Sequence, residues 1–131
     1  MLNYKDMNKS LSELEQIVMN IVWDFEKCSI RDVYLKLNTK KKLAYTTVAT
    51  LLKRLFEKGL VTCDSDNLAL IYSPRISKES YSGKVAKLIT KSFFRSFGDI
   101  AIASFAESID KLPKKKKIYF LKLLSKKNEN K

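Results

Sequence analysis

The sequence predicts a mostly helical protein in which one small β-hairpin separates two groups of helices. Three observations carry this. Of 131 residues only three are Gly and two are Pro, so little punctuates the chain. Apolar residues recur every three or four positions over most of its length, the spacing that lines one face of a helix. Residues 60–74 replace it with strand character, in two short runs, Leu60 to Cys63 and Leu68 to Tyr72, either side of a polar turn.

Each element has its own signal. Ser12 and Glu15 form a Ser-x-x-Glu capping box, in which hydroxyl and carboxylate each satisfy an orphaned backbone N–H. Leu14, Ile17, Val18, Ile21 and Val22 follow at helical spacing, giving a first helix to about Trp23. Lys27 and Cys28 break the pattern, and Ser29 caps a short second helix to about Leu37 that buries Ile30, Val33, Tyr34 and Leu37. Residues 38–42 are a polar turn ending in Lys40, Lys41 and Lys42. A third helix runs from about Tyr45 to Lys58 and stops at Gly59, a residue suited to the left-handed position past a helix end. On it Ala44, Val48, Leu51, Leu52 and Leu55 share one face, and Thr46, Ala49, Thr50, Lys53 and Glu57 the other. The hairpin turns at Ser65-Asp66-Asn67 and its second strand closes at Pro74. Three short helices and a hairpin, in this order, are a winged helix-turn-helix, whose third helix enters a major groove.

Beyond Pro74 the chain reads as helices only. Ser77 caps a long one bearing Tyr81, Val85, Leu88, Ile89, Phe93 and Phe97, and Gly98 interrupts it. Asp99 caps a second, with Ile100, Ile102, Phe105 and Ile109. Pro113 lies in the first turn of a third, with Ile118, Leu121 and Leu124. Some 50 residues are too few to bury this apolar surface in a private core, and a second copy of the same segment is the expected cover. The expected domains are a winged helix-turn-helix over residues 1–74 and a helical dimerisation region over 75–131. The interface residues are Tyr81, Val85, Leu88, Ile89, Phe93, Phe97, Ile102, Phe105, Leu121 and Leu124.

Composition excludes several functions. A 45% hydrophobic content excludes a disordered basic tail. There is no His, no Gly-rich phosphate loop and no visible nucleophile–base pair, so the chain reads as a non-enzyme without cofactor or metal. Cys28 and Cys63 lie 35 residues apart with no Cys-x-x-Cys, and read as buried or half-buried free thiols. The opening residues lack the apolar core of a leader, and no apolar run approaches the ~18 residues of a membrane span. The expectation is a cytoplasmic protein with no direct membrane insertion. The net charge of +12 is uneven: residues 1–74 hold 11 basic and 9 acidic residues, residues 75–131 hold 15 and 5. Basic charge favours a nucleic-acid partner, but Lys114 to Lys117 also read as a solvated helix start.

Three stretches then resemble a known family. Leu11 to Trp23 (LSELEQIVMNIVW), Ala44 to Val61 (AYTTVATLLKRLFEKGLV) and Tyr72-Ser73-Pro74 are similar to the BlaI/MecI/CopY family, the penicillinase and copper-responsive repressors. The similarity covers roughly residues 10–110, and the block from Ala44 is its most specific part. It implies a homodimeric winged-helix repressor of palindromic operators, commonly with TACA-type half-sites. It further implies control of β-lactam resistance genes, and release when a membrane sensor-protease cuts the dimerisation region. Facing and resemblance together assign DNA contact to Lys40, Lys41, Lys42, Tyr45, Thr46, Thr47, Ala49, Thr50, Lys53 and Arg54. Threonine hydroxyls bond phosphates or base edges, methyls touch thymine, and the cations reach phosphates or a guanine edge.

The chain also departs from the family pattern. Its wing turn, Asp64 to Asn67, carries two acids and no cation, so either the wing contributes little or Arg75 substitutes from its base. The C-terminal Cys-x-Cys of copper-responsive members is absent, which argues against direct copper sensing. Where penicillinase repressors have Asn-Phe at the cut, this chain reads Ala103-Ser104-Phe105-Ala106. The corresponding scission lies between Ser104 and Phe105, and Phe105 also reads as plain core. Two rival readings stand beside the repressor: a winged helix that grips a partner protein, and a repressor of this kind answering a different signal.

Overall fold

The computed structural model describes residues 11–129; residues 1–10, read above for a leader, lie outside them. In chain order the elements are α1 (Glu13–Phe25), β1 (Cys28–Ser29), α2 (Ile30–Leu37), α3 (Tyr45–Glu57), β2 (Val61–Asp66), β3 (Ala69–Pro74), α4 (Lys78–Phe97), α5 (Asp99–Asp110) and α6 (Lys114–Glu129). The chain divides into two compact units, one ending at Leu88 and the other beginning at Ile89.

The first unit packs three helices on a three-stranded antiparallel sheet of order β1-β3-β2. The Ser12 capping box forms, and the expected Ser29 cap proves to be a second box: Ser12 accepts from the Glu15 N–H, Ser29 from the Asp32 N–H, and each carboxylate accepts the cap's own N–H. Helix α3 ends as expected, with Gly59 at φ +78°, where a Cβ would be strained. The core joins Val18, Met19 and Val22 of α1 to Val33 and Leu37 of α2 and to Val48, Leu51, Leu52 and Leu55 of α3. Cys28, Val61 and Tyr72 close it from the sheet. Cys28 and Cys63 both pair with Tyr72 in register, one on each side of β3. Burial, followed by the nearby Asp32 charge, pushes the Cys28 thiol up to about 11, so it stays protonated.

Several boundaries differ from expectation. The first helix runs on to Phe25. The sheet gains β1, two residues long and too short to show a period. The hairpin turns at Asn67-Leu68 rather than at 65–67, because β2 extends to Asp66 and pairs with Ala69. Both turn residues have positive φ, +48° and +71°, the geometry of a two-residue hairpin whose twist matches its strands. Ala44 is the exposed N-cap of α3 rather than a core residue. Gly98, not Asp99, holds the N-cap position of α5, and Pro113 stands just before α6 rather than within its first turn.

In the second unit the Phe93 ring meets those of Phe94 and Phe97, and Phe105 meets Phe120. Ala101 is the one fully buried apolar residue among the described residues of this unit. Ile89, Phe97, Ile102, Phe105, Leu121 and Leu124 are exposed in the single chain, while Val85, Leu88 and Phe93 are half-buried.

Candidate nucleic-acid interface

Helix α3 owes its position to its own periodicity. Taking about 100° per residue, Val48, Leu51, Leu52 and Leu55 occupy an arc that is buried against α1 and α2. The remaining arc carries Thr46, Thr47, Ala49, Thr50, Lys53 and Arg54, all exposed except the half-buried Ala49. The core side of the helix is filled, so this arc is what it can offer a partner.

The turn before α3 is braced. Asn38 donates from its side-chain amide to the Tyr34 carbonyl (2.8 Å) and accepts the Leu43 N–H on its oxygen (3.3 Å). The N–H groups of Lys40 and Lys41 both bond the Leu37 carbonyl. These bonds hold the exposed Lys40, Lys41 and Lys42 at the entry to α3. Tyr45 sits edge-on to Tyr34, with ring centroids 5.5 Å apart, and stays half exposed. Asn38 was not legible as a positioning residue, because its two bonds reach four and five residues along the chain and leave no periodic trace.

Thr50 donates its hydroxyl to the Thr46 carbonyl at 2.9 Å. Its proton is thereby committed to the helix, and toward a base or phosphate the oxygen offers only an acceptor. The expectation of free donors on this face therefore narrows at Thr50 to acceptance from an adenine or cytosine amino group. Ala44 gives α3 no side-chain cap, so the first-turn N–H groups can take a phosphate oxygen. Acid enters the exposed face only at Glu57, at its far end.

The wing is of another character. Asp64 and Asp66 are exposed along β2, and Leu68 at the tip is fully exposed. The Arg75 N–H bonds the Leu60 carbonyl at the wing base (2.9 Å), and the residue is exposed there. Among the described residues no group of three Cys, Asp or Glu side chains could hold a metal ion, and no helix is long and apolar enough to cross a membrane. The expected contact residues therefore come together as one turn-and-helix surface. The expected interface residues fall in both units, with the Tyr81 ring tilted against that of Trp23 (centroids 5.7 Å apart) inside the first.

Three helices, a sheet completed by a two-residue strand, and a hairpin with an exposed third helix define a winged helix-turn-helix protein. Residues 11–124 match the penicillinase repressor family, and this chain belongs to it. It is 42% identical over 65 residues to the transcriptional regulator BlaI of Mycobacterium tuberculosis (strain CDC 1551 / Oshkosh), an alignment covering 49% of this chain and 47% of that protein. The match thus spans about half the length of that curated relative. It is 24% identical over 100 residues to the methicillin resistance regulatory protein MecI of Staphylococcus aureus (strain N315), covering 76% and 81%. The solution structure of the DNA-binding domain of the repressor BlaI superposes with a TM-score of 0.51 at 25% identity, covering 56% of this chain and 89% of that one.

Proposed function

We propose that this chain is a transcriptional repressor that binds palindromic operator DNA as a homodimer and controls β-lactam resistance genes from the cytoplasm. The observation that carries the reading is the exposed arc of α3: threonines and cations, preceded by a braced lysine turn and free of acid until Glu57. Such a surface suits the major groove, where hydroxyls and methyls read base edges while lysines hold phosphates. Membership of the penicillinase repressor family supports the same partner.

The dimer rests on the second unit. Its exposed Phe97, Ile102, Leu121 and Leu124 form apolar surface that a lone chain would leave in water. A second copy covers it by two-fold symmetry and brings two recognition helices to two half-sites. On this reading residues 1–74 read the DNA and residues 75–131 dimerise. Linking the two modules makes the second contact intramolecular, so a weakened dimer releases the operator.

Scission between Ser104 and Phe105 by a membrane sensor-protease would have that effect. Both residues are exposed, but their bond lies inside α5, so the helix must open before a protease can take it as an extended strand. A helix whose one buried residue is Ala101 opens at low cost.

In vitro selection of random duplex DNA with the purified chain tests the reading. A two-fold symmetric consensus is expected. Binding that shows no consensus and vanishes with added salt would refute it and favour the partner-gripping winged helix.

A further inference from the structure

The charge of the second unit is not needed by the recognition helix. Between Asp110 and Glu129 the sequence holds eight lysines and no acid. Two of the eight are engaged locally: Lys111 pairs with Glu107 (3.3 Å), and Lys117 bonds Asp110. The rest sit on α6, and the contacts of that helix fix how it is turned.

Phe120 is half-buried, with its ring centroid 6.2 Å from that of Phe105 on α5. Phe120 and Lys117 therefore mark the side of α6 that faces α5. At about 100° per residue, Leu124 lies on that side, and Lys115, Lys122 and Lys126 lie within about 40° of one another on the opposite one. All three are exposed. At a rise of ~1.5 Å per residue they form a stripe about 16 Å long. A strand of B-DNA offers a phosphate roughly every 3.4 Å of axis, so the stripe can address several at once.

We infer that this outward face of α6 is a second, sequence-independent contact to duplex DNA, in which Lys115, Lys122 and Lys126 hold backbone phosphates. The inference rests on the reading of the chain as a DNA-binding repressor. Charge complementarity selects the occupant. A helix that lies on a membrane needs a broad apolar face free to enter the lipid, whereas the exposed apolar side chains of α6 are split: Leu121 and Leu124 belong to the surface assigned to the dimer, Leu123 lies about 100° or more from both, Ile118 and Tyr119 edge the stripe, and Phe120 packs against α5. Flexible lysines on one chain with a bound recognition helix meet phosphate at high local concentration, and a dimer brings six of them.

The test is the salt dependence of binding to a fluorescent duplex carrying the selected consensus, compared with a random duplex of equal length. The variant combines Lys115→Gln, Lys122→Gln and Lys126→Gln, exposed changes that keep good helix formers. The slope of log affinity against log salt should fall by about 3 to 5 for the dimer, equally on both duplexes, since each lost phosphate contact removes about 0.9. Lys→Arg at the same three positions should restore it. An unchanged slope, with the variant still dimeric and helical, overturns this inference alone. So does an unchanged slope with lysine-dependent binding to phosphatidylserine-containing vesicles, which would assign the face to a membrane. A wild-type chain that binds neither duplex overturns the repressor reading and this inference with it.

Discussion

Lys58 at the C-terminal end of α3 places its Nζ 2.8 Å from Oε1 of Glu15 in the first turn of α1. The pair ties α3 to the first helix of the core. Glu15 is buried, and the same oxygen accepts the Ser12 N–H at 2.8 Å. Burial alone would raise its carboxyl. The Lys58 hydrogen bond, with those from the Ser12 backbone and hydroxyl, outweighs burial and holds the carboxyl below its ordinary value.

The sign of the pH dependence follows. A carboxyl held lower in the folded than in the unfolded state adds stability above its unfolded value, near 4.3, and that stability is lost as the pH falls through the lower folded value. Lys58→Met should cost about 1–3 kcal/mol at pH 7, since it leaves a buried carboxylate short of its cation. Urea unfolding at pH 7 and again near pH 3 checks this. The difference between variant and wild type should shrink at the lower pH.

On α3, the helix proposed to read the major groove, Thr50→Ala and Lys53→Ala should separate base reading from phosphate holding. Thr50→Ala should weaken binding to the selected consensus by about 1 kcal/mol, roughly fivefold, with little change on random duplex. Lys53→Ala should weaken both duplexes and lower the salt slope by about 1. Fluorescence anisotropy over a salt series distinguishes the two. Equal affinity in both variants and wild type would remove α3 as the reading helix.

In the second unit, Phe93→Asp and Phe105→Asp place a charge in the apolar surface assigned to the dimer. Each should shift the chain to monomer at micromolar concentration in light scattering and reduce operator affinity at least tenfold through the lost second contact. A persistent dimer in both would locate the interface elsewhere.

At the wing tip, Leu68 adopts φ +71° with its side chain wholly in solvent. A branched side chain in left-handed backbone costs about 1–2 kcal/mol and packs against nothing that would offset it. Leu68→Gly creates the Asn-Gly pair preferred in such turns. It should raise stability by about 0.5–1 kcal/mol after the added freedom of the unfolded chain. Thermal unfolding reads this as a rise of a few degrees, with operator affinity unchanged.

Local sequence determined much of this molecule. The two Ser capping boxes, the apolar stripe from Val48 to Leu55 and the stop at Gly59 are all set within four or five residues, because helix ends and faces answer to nearest neighbours. The same stripe predicted which side of α3 stays exposed, and the block from Ala44 to Val61 led to the family. Long-range packing decided the rest. Strand β1 exists only because Cys28 and Ser29 find Tyr72 and Ile71 some 40 residues away. Glu15 reads as a capping residue, yet it is buried and its cation comes from the end of α3. The outward face of α6 became visible only when Phe120 settled on Phe105, since the stripe of Ile118, Leu121 and Leu124 read from the sequence runs between the two sides of the helix and does not say which of them meets α5. Periodicity states which residues share a face; what that face meets is settled by the tertiary contacts that exclude water from one side and leave it on the other.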